Sequence, residues 1–294
     1  YSFRLPIYNI VLKYFHNKPI KLNFVRLFVY VCSLITKTID MKLSVNKIYN
    51  ESCIDTMGKL DDCSVDLIIT SPPYNKAGYE GFIRKRHSSD SWKSRNIDYD
   101  NDANNDFMIE SEYKEQQINV LNEMQRILKP NGSIFYNHKV RVSKHKGSHP
   151  MEWILKSNLT FRQQIIWNRK NSPAVSPIRY LPSTELIFWL TKTPIQPNFL
   201  RDKNSLFKGE VWDFSAKPNK MHPAPFPEEL PKNIMMCIKE KENVLVYDPY
   251  SGIGTTCKVA KEFGFQFIGS EINQEYIDIS NDILFGDKAQ GKLF

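Results

Sequence analysis

The chain of 294 residues has only five cysteines, Cys32, Cys53, Cys63, Cys237 and Cys257, and no C-x-x-C pair among them. An odd, widely spaced set argues against a disulfide framework or a zinc site and predicts reduced thiols in a cytoplasmic setting. Long apolar runs are lacking as well. The stretch Phe24–Ile35 is about 12 residues long and is broken by Arg26, whereas a membrane span needs roughly 20. No small-residue cleavage site follows it, so neither a secretory signal nor a membrane partner is expected. There is no internal repeat and no low-complexity segment. With 41% apolar and 24% charged residues, the chain can bury a full core, as one large α/β domain or two small ones.

Acidic residues are scarce in one place. Residues 1–40 carry six Lys/Arg and a single acid, Asp40, a net of +5, and everything from Met41 onward adds only +3 to reach the total of +8. A basic balance is an argument about polyanionic partners, not about fold. Residues 1–40 are read as a basic extension, set apart in composition from a domain over 41–294.

From Met41 short β-rich runs alternate with helical stretches, the pattern of a largely parallel sheet covered by helices. The expected strands are Val65–Thr70, Ser133–Asn137, Phe161–Trp167, Glu185–Leu190, Val244–Tyr247 and Gln266–Gly269. Helical periodicity runs over Glu112–Leu128 and stops at Lys129-Pro130-Asn131-Gly132. A second helix is expected over Pro227–Lys239 and a third from Gly254 or Thr255. Residues 75–112 show little periodicity and split by charge. Residues 75–97 hold six Lys/Arg against two acids, and 98–112 hold six acids and no base. A stretch this long without periodicity inside a domain is usually functional or disordered.

Two constellations carry chemistry. Asp248-Pro249-Tyr250-Ser251-Gly252-Ile253-Gly254-Thr255-Thr256 follows a strand directly, and a strand, a glycine turn and a helix start bring bare backbone N–H groups close to a ligand. Glu271 comes 19 positions after Gly252, at the end of the next strand, where a doubly wound fold places a carboxylate for ribose hydroxyls. The other constellation is Thr70-Ser71-Pro72-Pro73-Tyr74, closing the apolar strand from Val65. Two prolines remove two backbone donors and fix φ, so the neighbouring carbonyls are turned toward a cleft. Alone, the first pattern is also that of a tight connection and the second that of a rigid turn.

Together, TSPPY followed much later by DPYSGIGTT resembles the amino-methyltransferases that modify exocyclic amines in DNA, in their permuted beta class. The likeness spans about residues 45–285. It implies an α/β, Rossmann-like methyltransferase fold: a largely parallel twisted sheet with helices on both faces and a permuted motif order. It implies S-adenosylmethionine as cofactor, held by Asp248, Pro249, Tyr250, Ser251, Gly252, Gly254, Thr255, Thr256 and Glu271. Thr70, Ser52 and Cys53 belong to the same pocket, with His222, Pro223 and Phe226 on its methionine side. The segment Lys220–Pro227 also reads as a Pro-rich linker capping the helix that follows. Where many relatives carry N-G-D-C, this chain has Asn50-Glu51-Ser52-Cys53, so the adenine contact passes to Ser52 or to Glu51.

The catalytic residues implied are Ser71, Pro72, Pro73 and Tyr74. The Ser71 hydroxyl and Pro72 carbonyl accept hydrogen bonds from the target amino group and localise its lone pair for in-line attack on the sulfonium methyl. Tyr74 stacks on the base, which must be flipped out of the helix to be reached. Positioning of this kind supplies about 7–11 kcal/mol in well-aligned reactions. No metal is required, and the cysteines are read as structural.

The resemblance divides the domain into a catalytic half over 41–190, a small recognition region over 191–221 and a cofactor half over 222–294. Expected DNA contacts are Arg84, Lys85, Arg86, Lys93 and Arg95 with Trp92, then Lys139, Arg141 and Lys144, and Arg179. His138, His145 and His149 lie among these bases, which favours a phosphate-facing loop over a metal site. The partner is double-stranded DNA, with room for a cognate restriction endonuclease; monomer and homodimer both stay open. Ser in place of Asp before Pro-Pro leans toward cytosine N4 over adenine N6. A catalytically silent DNA- or cofactor-binding relative is the alternative from another class.

Overall fold

The computed structural model describes residues 43–75, 108–143, 146–170, 180–201, 205–206, 208–215, 226–240 and 242–286. The chain divides into two compact units, Tyr1–Leu43 and Ser44–Phe294, and apart from Leu43 the described residues belong to the second. In chain order its elements are β1 (Lys47–Asn50), α1 (Cys53–Gly58), β2 (Val65–Thr70), α2 (Glu110–Ile127) and β3 (Leu128–His138). A short hairpin follows, β4 (Arg141–Ser143) and β5 (Lys146–Ser148), then α3 (Met151–Ile154), β6 (Thr160–Asn168) and β7 (Thr184–Thr191). The chain continues with β8 (Val211–Asp213), α4 (Glu229–Met236), β9 (Leu245–Asp248), α5 (Thr255–Glu262), β10 (Gln266–Glu271) and α6 (Gln274–Phe285).

The main sheet has the order β1-β10-β9-β2-β3-β7-β6-β8. The first five strands run parallel, and β7 is antiparallel to both β3 and β6. The last two strands of the chain therefore sit between its first two. Strand β2 reads as a near-continuous apolar run because it is central and covered on both faces. Successive side chains point to opposite faces. Leu67, Ile69, Phe135, Val246 and Phe267 join Leu230 and Ile234 of α4, Val259 and Ala260 of α5, and Ile277 and Leu284 of α6 in one core cluster. On the other face Tyr136 reaches Gln117 of α2 and Trp153 of α3, and the Tyr247 hydroxyl reaches the Cys53 carbonyl of α1.

Several boundaries depart from those expected. The Lys129–Gly132 segment stands inside β3 instead of ending a helix in a loop, because α2 stops at Ile127 and Leu128 is already extended. The register slips between Val65 and Leu67 opposite it, the irregularity that lets a proline sit in a paired strand. Helix α4 is shorter than Pro227–Lys239, and β1, α1, β8 and α6 were not expected at all. Strand β8 pairs with β6, so part of 191–221 extends the sheet. Among the described residues no helix is long and apolar enough to cross a membrane.

Candidate active site

The parallel strands end along one edge, and the two motifs are the continuations of neighbouring strands there. Ile68 of β2 pairs with Tyr247 of β9, so Thr70-Ser71 and Asp248-Pro249 leave the sheet side by side. The carboxyl ends of parallel strands are where α/β proteins bind ligands.

On the β9 side Asp248 is buried and organises the turn. Its carboxylate accepts from Tyr250 N at 3.1 Å and Thr256 Oγ1 at 2.6 Å, with the Thr70 hydroxyl beside it. Burial pushes its carboxyl up to about 6, and these hydrogen bonds hold it back from going further. Gly252 (φ 51°) and Gly254 (φ 81°) are left-handed. At Gly254 a Cβ would also stand 3.1 Å from Ile48 Cδ1 and Ser280 Cβ, so glycine lets the start of α5 close onto β1 and α6. Ser251 is tied through its amide and hydroxyl to the Ser270 carbonyl. Thr256 faces the interior, Thr255 and Tyr250 are half-buried, and Pro249 is buried.

Glu271 ends β10. One carboxylate oxygen accepts from Gly252 N at 2.9 Å and the other from Asn273 N at 2.8 Å. Burial raises its pKa, and those backbone donors work against the rise. An ionised carboxylate offers about four lone-pair directions, so these backbone donors do not exhaust it. At the end of β1, both candidates for an adenine contact are already engaged. Ser52 caps α1 through Asp55 N at 3.2 Å and donates to the Asp55 carboxylate at 2.7 Å. Glu51 accepts from Thr56 at 3.0 Å and pairs with Lys59. Cys53 is buried with its thiol beside Tyr250, and burial raises its pKa. Phe226 is partly buried against the core cluster; His222 and Pro223 lie outside the described residues.

On the β2 side Ser71–Asn75 follows the strand without regular secondary structure, with Pro72 buried and Pro73 half-buried. Tyr74 is 8% exposed, and its hydroxyl lies 2.9 Å from Ser71 Oγ and donates to Glu185 Oε2 at 2.9 Å. Asn137 Nδ2 donates into the same cluster, and Arg169 Nη1 pairs with the other Glu185 oxygen at 2.8 Å. Burial, with the Glu185 charge added, pushes the Tyr74 hydroxyl well above its ordinary range, so it stays a donor. Beneath it His138 is fully buried, its ring 4.6 Å from that of Tyr74. Its Nδ1 lies 2.9 Å from both the amide nitrogen and the carbonyl oxygen of Lys139, and its Nε2 is 2.8 Å from the Tyr113 hydroxyl. Tyr113 donates in turn to the Pro73 carbonyl at 2.7 Å. Asn75, at φ 50°, clasps the backbone N–H and C=O of Met108 with its amide, which ties the end of the motif to the residues just before α2.

The DNA methylase family (N6_N4_Mtase) matches residues 65–282, taking in both motifs and every strand from β2 to β10. The chain belongs to this family. It is 29% identical over 287 residues to the Type II methyltransferase M.BglII of Bacillus subtilis, covering 86% of this chain and 72% of that one. Among solved structures, the PvuII DNA methyltransferase (cytosine-N4-specific) superposes with a TM-score of 0.61 at 20% identity, covering 84% of this chain and 95% of that one. The M1.HpyAVI–SAM complex gives 0.55 at 19% identity, over 81% and 98%. These last two likenesses establish a shared fold.

In this DNA methylase the expected DNA contacts fall into three groups. Arg84, Lys85, Arg86, Lys93, Arg95, Lys144 and Arg179 lie outside the described residues, as does His145. Lys139 sits with its ammonium 5.5 Å from the Tyr74 ring centre. Arg141 departs from expectation: it is buried, bidentate to Glu110 at 2.7 and 2.8 Å, and stacked over Tyr113. A guanidinium held this way is committed to partners inside the fold, costly to leave unpaired, and is not presented to phosphate. His138 is likewise internal and not phosphate-facing. Sequence reasoning passed over Asn137, Arg169 and Glu185. Asn137 and Glu185 were signalled as polar residues near the ends of largely apolar strands, Glu185, before Leu186-Ile187-Phe188, the more plainly; Arg169, just past the polar strand β6, carried no such signal.

Proposed function

We propose that this DNA methylase uses S-adenosylmethionine to methylate the exocyclic amine of a flipped base, cytosine N4, within a short duplex sequence, as a restriction–modification methyltransferase. What supports this above all is the placement of TSPPY and the glycine turn on neighbouring strands that lie about 180 residues apart in the chain. The pocket fits the cofactor in chemical kind. Glu271 has acceptor capacity left for the ribose, and the Gly252–Gly254 turn brings backbone close to a ligand. Ser52 contributes less, since its hydroxyl already caps α1. Bound there, S-adenosylmethionine supplies an electrophilic methyl on a cationic sulfur. The preference for cytosine rests on Ser71 standing where an acid stands in other relatives, and the cytosine-N4-specific PvuII enzyme is among the structural neighbours.

The test is to incubate the protein with unmethylated duplex DNA and S-adenosylmethionine, digest to nucleosides and weigh the product. N4-methylcytosine is expected. N6-methyladenine would overturn the choice of base alone, and no product on DNA carrying every short sequence would overturn the activity.

A further inference from the structure

The hydroxyl of Tyr74 occupies an unusual place. It bridges Ser71 Oγ and Glu185 Oε2, each at 2.9 Å, donating its one proton to Glu185 and accepting from Ser71 and, at 2.8 Å, from Asn137 Nδ2, at the motif that the family uses for an amine. A polar hydrogen-bonding atom between a hydroxyl and a carboxylate is what an exocyclic amine would be if it replaced that hydroxyl. We infer that Tyr74 Oη stands in for the target amine while no base is bound, and that Glu185 is a catalytic residue that accepts one of the amine's two N–H bonds while Ser71 accepts the other. This rests on the reading of the protein as a DNA amino-methyltransferase.

Three features of the site support the assignment. Glu185 is 7% exposed, and a buried carboxylate is retained only where its partners compensate it. Here Arg169 on one oxygen and Asn137 on the other keep it aimed at Ser71 and Tyr74. A carboxylate is also the stronger acceptor, because charge-assisted hydrogen bonds are about twice as strong as neutral ones. Finally, Asn137 is 1% exposed, and its Oδ1 is buried with no hydrogen-bond partner. An acceptor left open beside the cluster is costly in a finished core and natural in one that receives a donor. When the base enters, Tyr74 rotates out to stack on it, and Glu185 and the turned Ser71 hydroxyl are left to accept from the amine.

The experiment compares the parent with Glu185→Gln and Tyr74→Phe, once the methylated position has been mapped with the parent protein. Each is measured for melting temperature, for S-adenosylmethionine affinity, and for binding to two duplexes. One carries the target base and the other the same base without its amino group. The parent is expected to prefer the amine-bearing duplex by about tenfold, the worth of a hydrogen bond to a charged group. Glu185→Gln should lose that preference, keep cofactor affinity within about twofold, and methylate slower by on the order of 10²-fold, as when one transition-state hydrogen bond is removed. Tyr74→Phe, with the stand-in hydroxyl gone, should bind the amine-bearing duplex more tightly than the parent. Undiminished preference and rate in Glu185→Gln would overturn the inference and leave the activity intact. So would a Tyr74→Phe protein that loses the preference, because Glu185 would then act only by holding Tyr74. If Glu185→Gln does not fold, the Tyr74→Phe result decides alone. A parent that methylates no DNA removes the underlying reading and the inference with it.

Discussion

Ser71 is partly buried, and its hydroxyl has the Tyr74 hydroxyl and Asn137 Nδ2 within 2.9 and 3.3 Å. Replacing it by alanine removes one acceptor and little volume. Ser71→Ala should fold as the parent does, bind S-adenosylmethionine as before and lose methylation by on the order of 10²-fold; single-turnover kinetics with calorimetry checks both halves. Asp248 makes a prediction about pH. Its carboxyl titrates near 3.8 unfolded and about 6 in the fold, so the folded state binds the extra proton between those values. Its contribution is therefore most favourable below about pH 4 and is lost as pH rises to about 6, on the order of 3 kcal/mol in all. Relative to Asp248→Asn, the ligand-free parent should lose melting temperature across that window. A difference between the two that is flat with pH would contradict this.

At the scale of elements, the Arg141–Glu110 pair joins the start of β4 to the start of α2, and Arg141 lies over Tyr113, which holds the Pro73 carbonyl. Arg141→Ala should cost about 2–3 kcal/mol, less than a wholly buried pair, because Glu110 is 41% exposed. It should leave the salt dependence of DNA affinity unchanged. Lys139→Ala, if Lys139 faces phosphate, should reduce the slope of log affinity against log salt by about 0.9. Salt titrations of both variants separate a structural arginine from a DNA-facing lysine. The elements legible in the sequence were those with a strong local pattern, such as β2, with its apolar run, and α5, with its glycine-turn start. Strand β1 escaped notice because only Ile48 of its four residues is buried, and α6 because Ser280 stands where its apolar stripe should continue.

For the molecule as a whole, the permuted order makes the edge strand an anchor for the cofactor turn. Ile48 of β1 is 3% exposed, belongs to the main core cluster and touches the place where Gly254 admits no side chain. Ile48→Ala should cost roughly 2–5 kcal/mol and weaken S-adenosylmethionine binding, although Ile48 is not expected to touch the cofactor. Thermal melting and cofactor titration of the same variant would show whether the two losses travel together. The sequence by itself determined the motif pair, its order and the α/β class, because strands, glycine turns and proline stops are written in short-range patterns. Only the tertiary structure decided which buried polar groups meet. Glu185 lies more than 100 residues beyond Tyr74, and it reaches that hydroxyl because β7 pairs with β3 and β3 with β2. It likewise decided that Arg141, one base among several in a basic loop, is internal. Charge and spacing are local properties of a chain, whereas burial and partnership belong to the packed sheet.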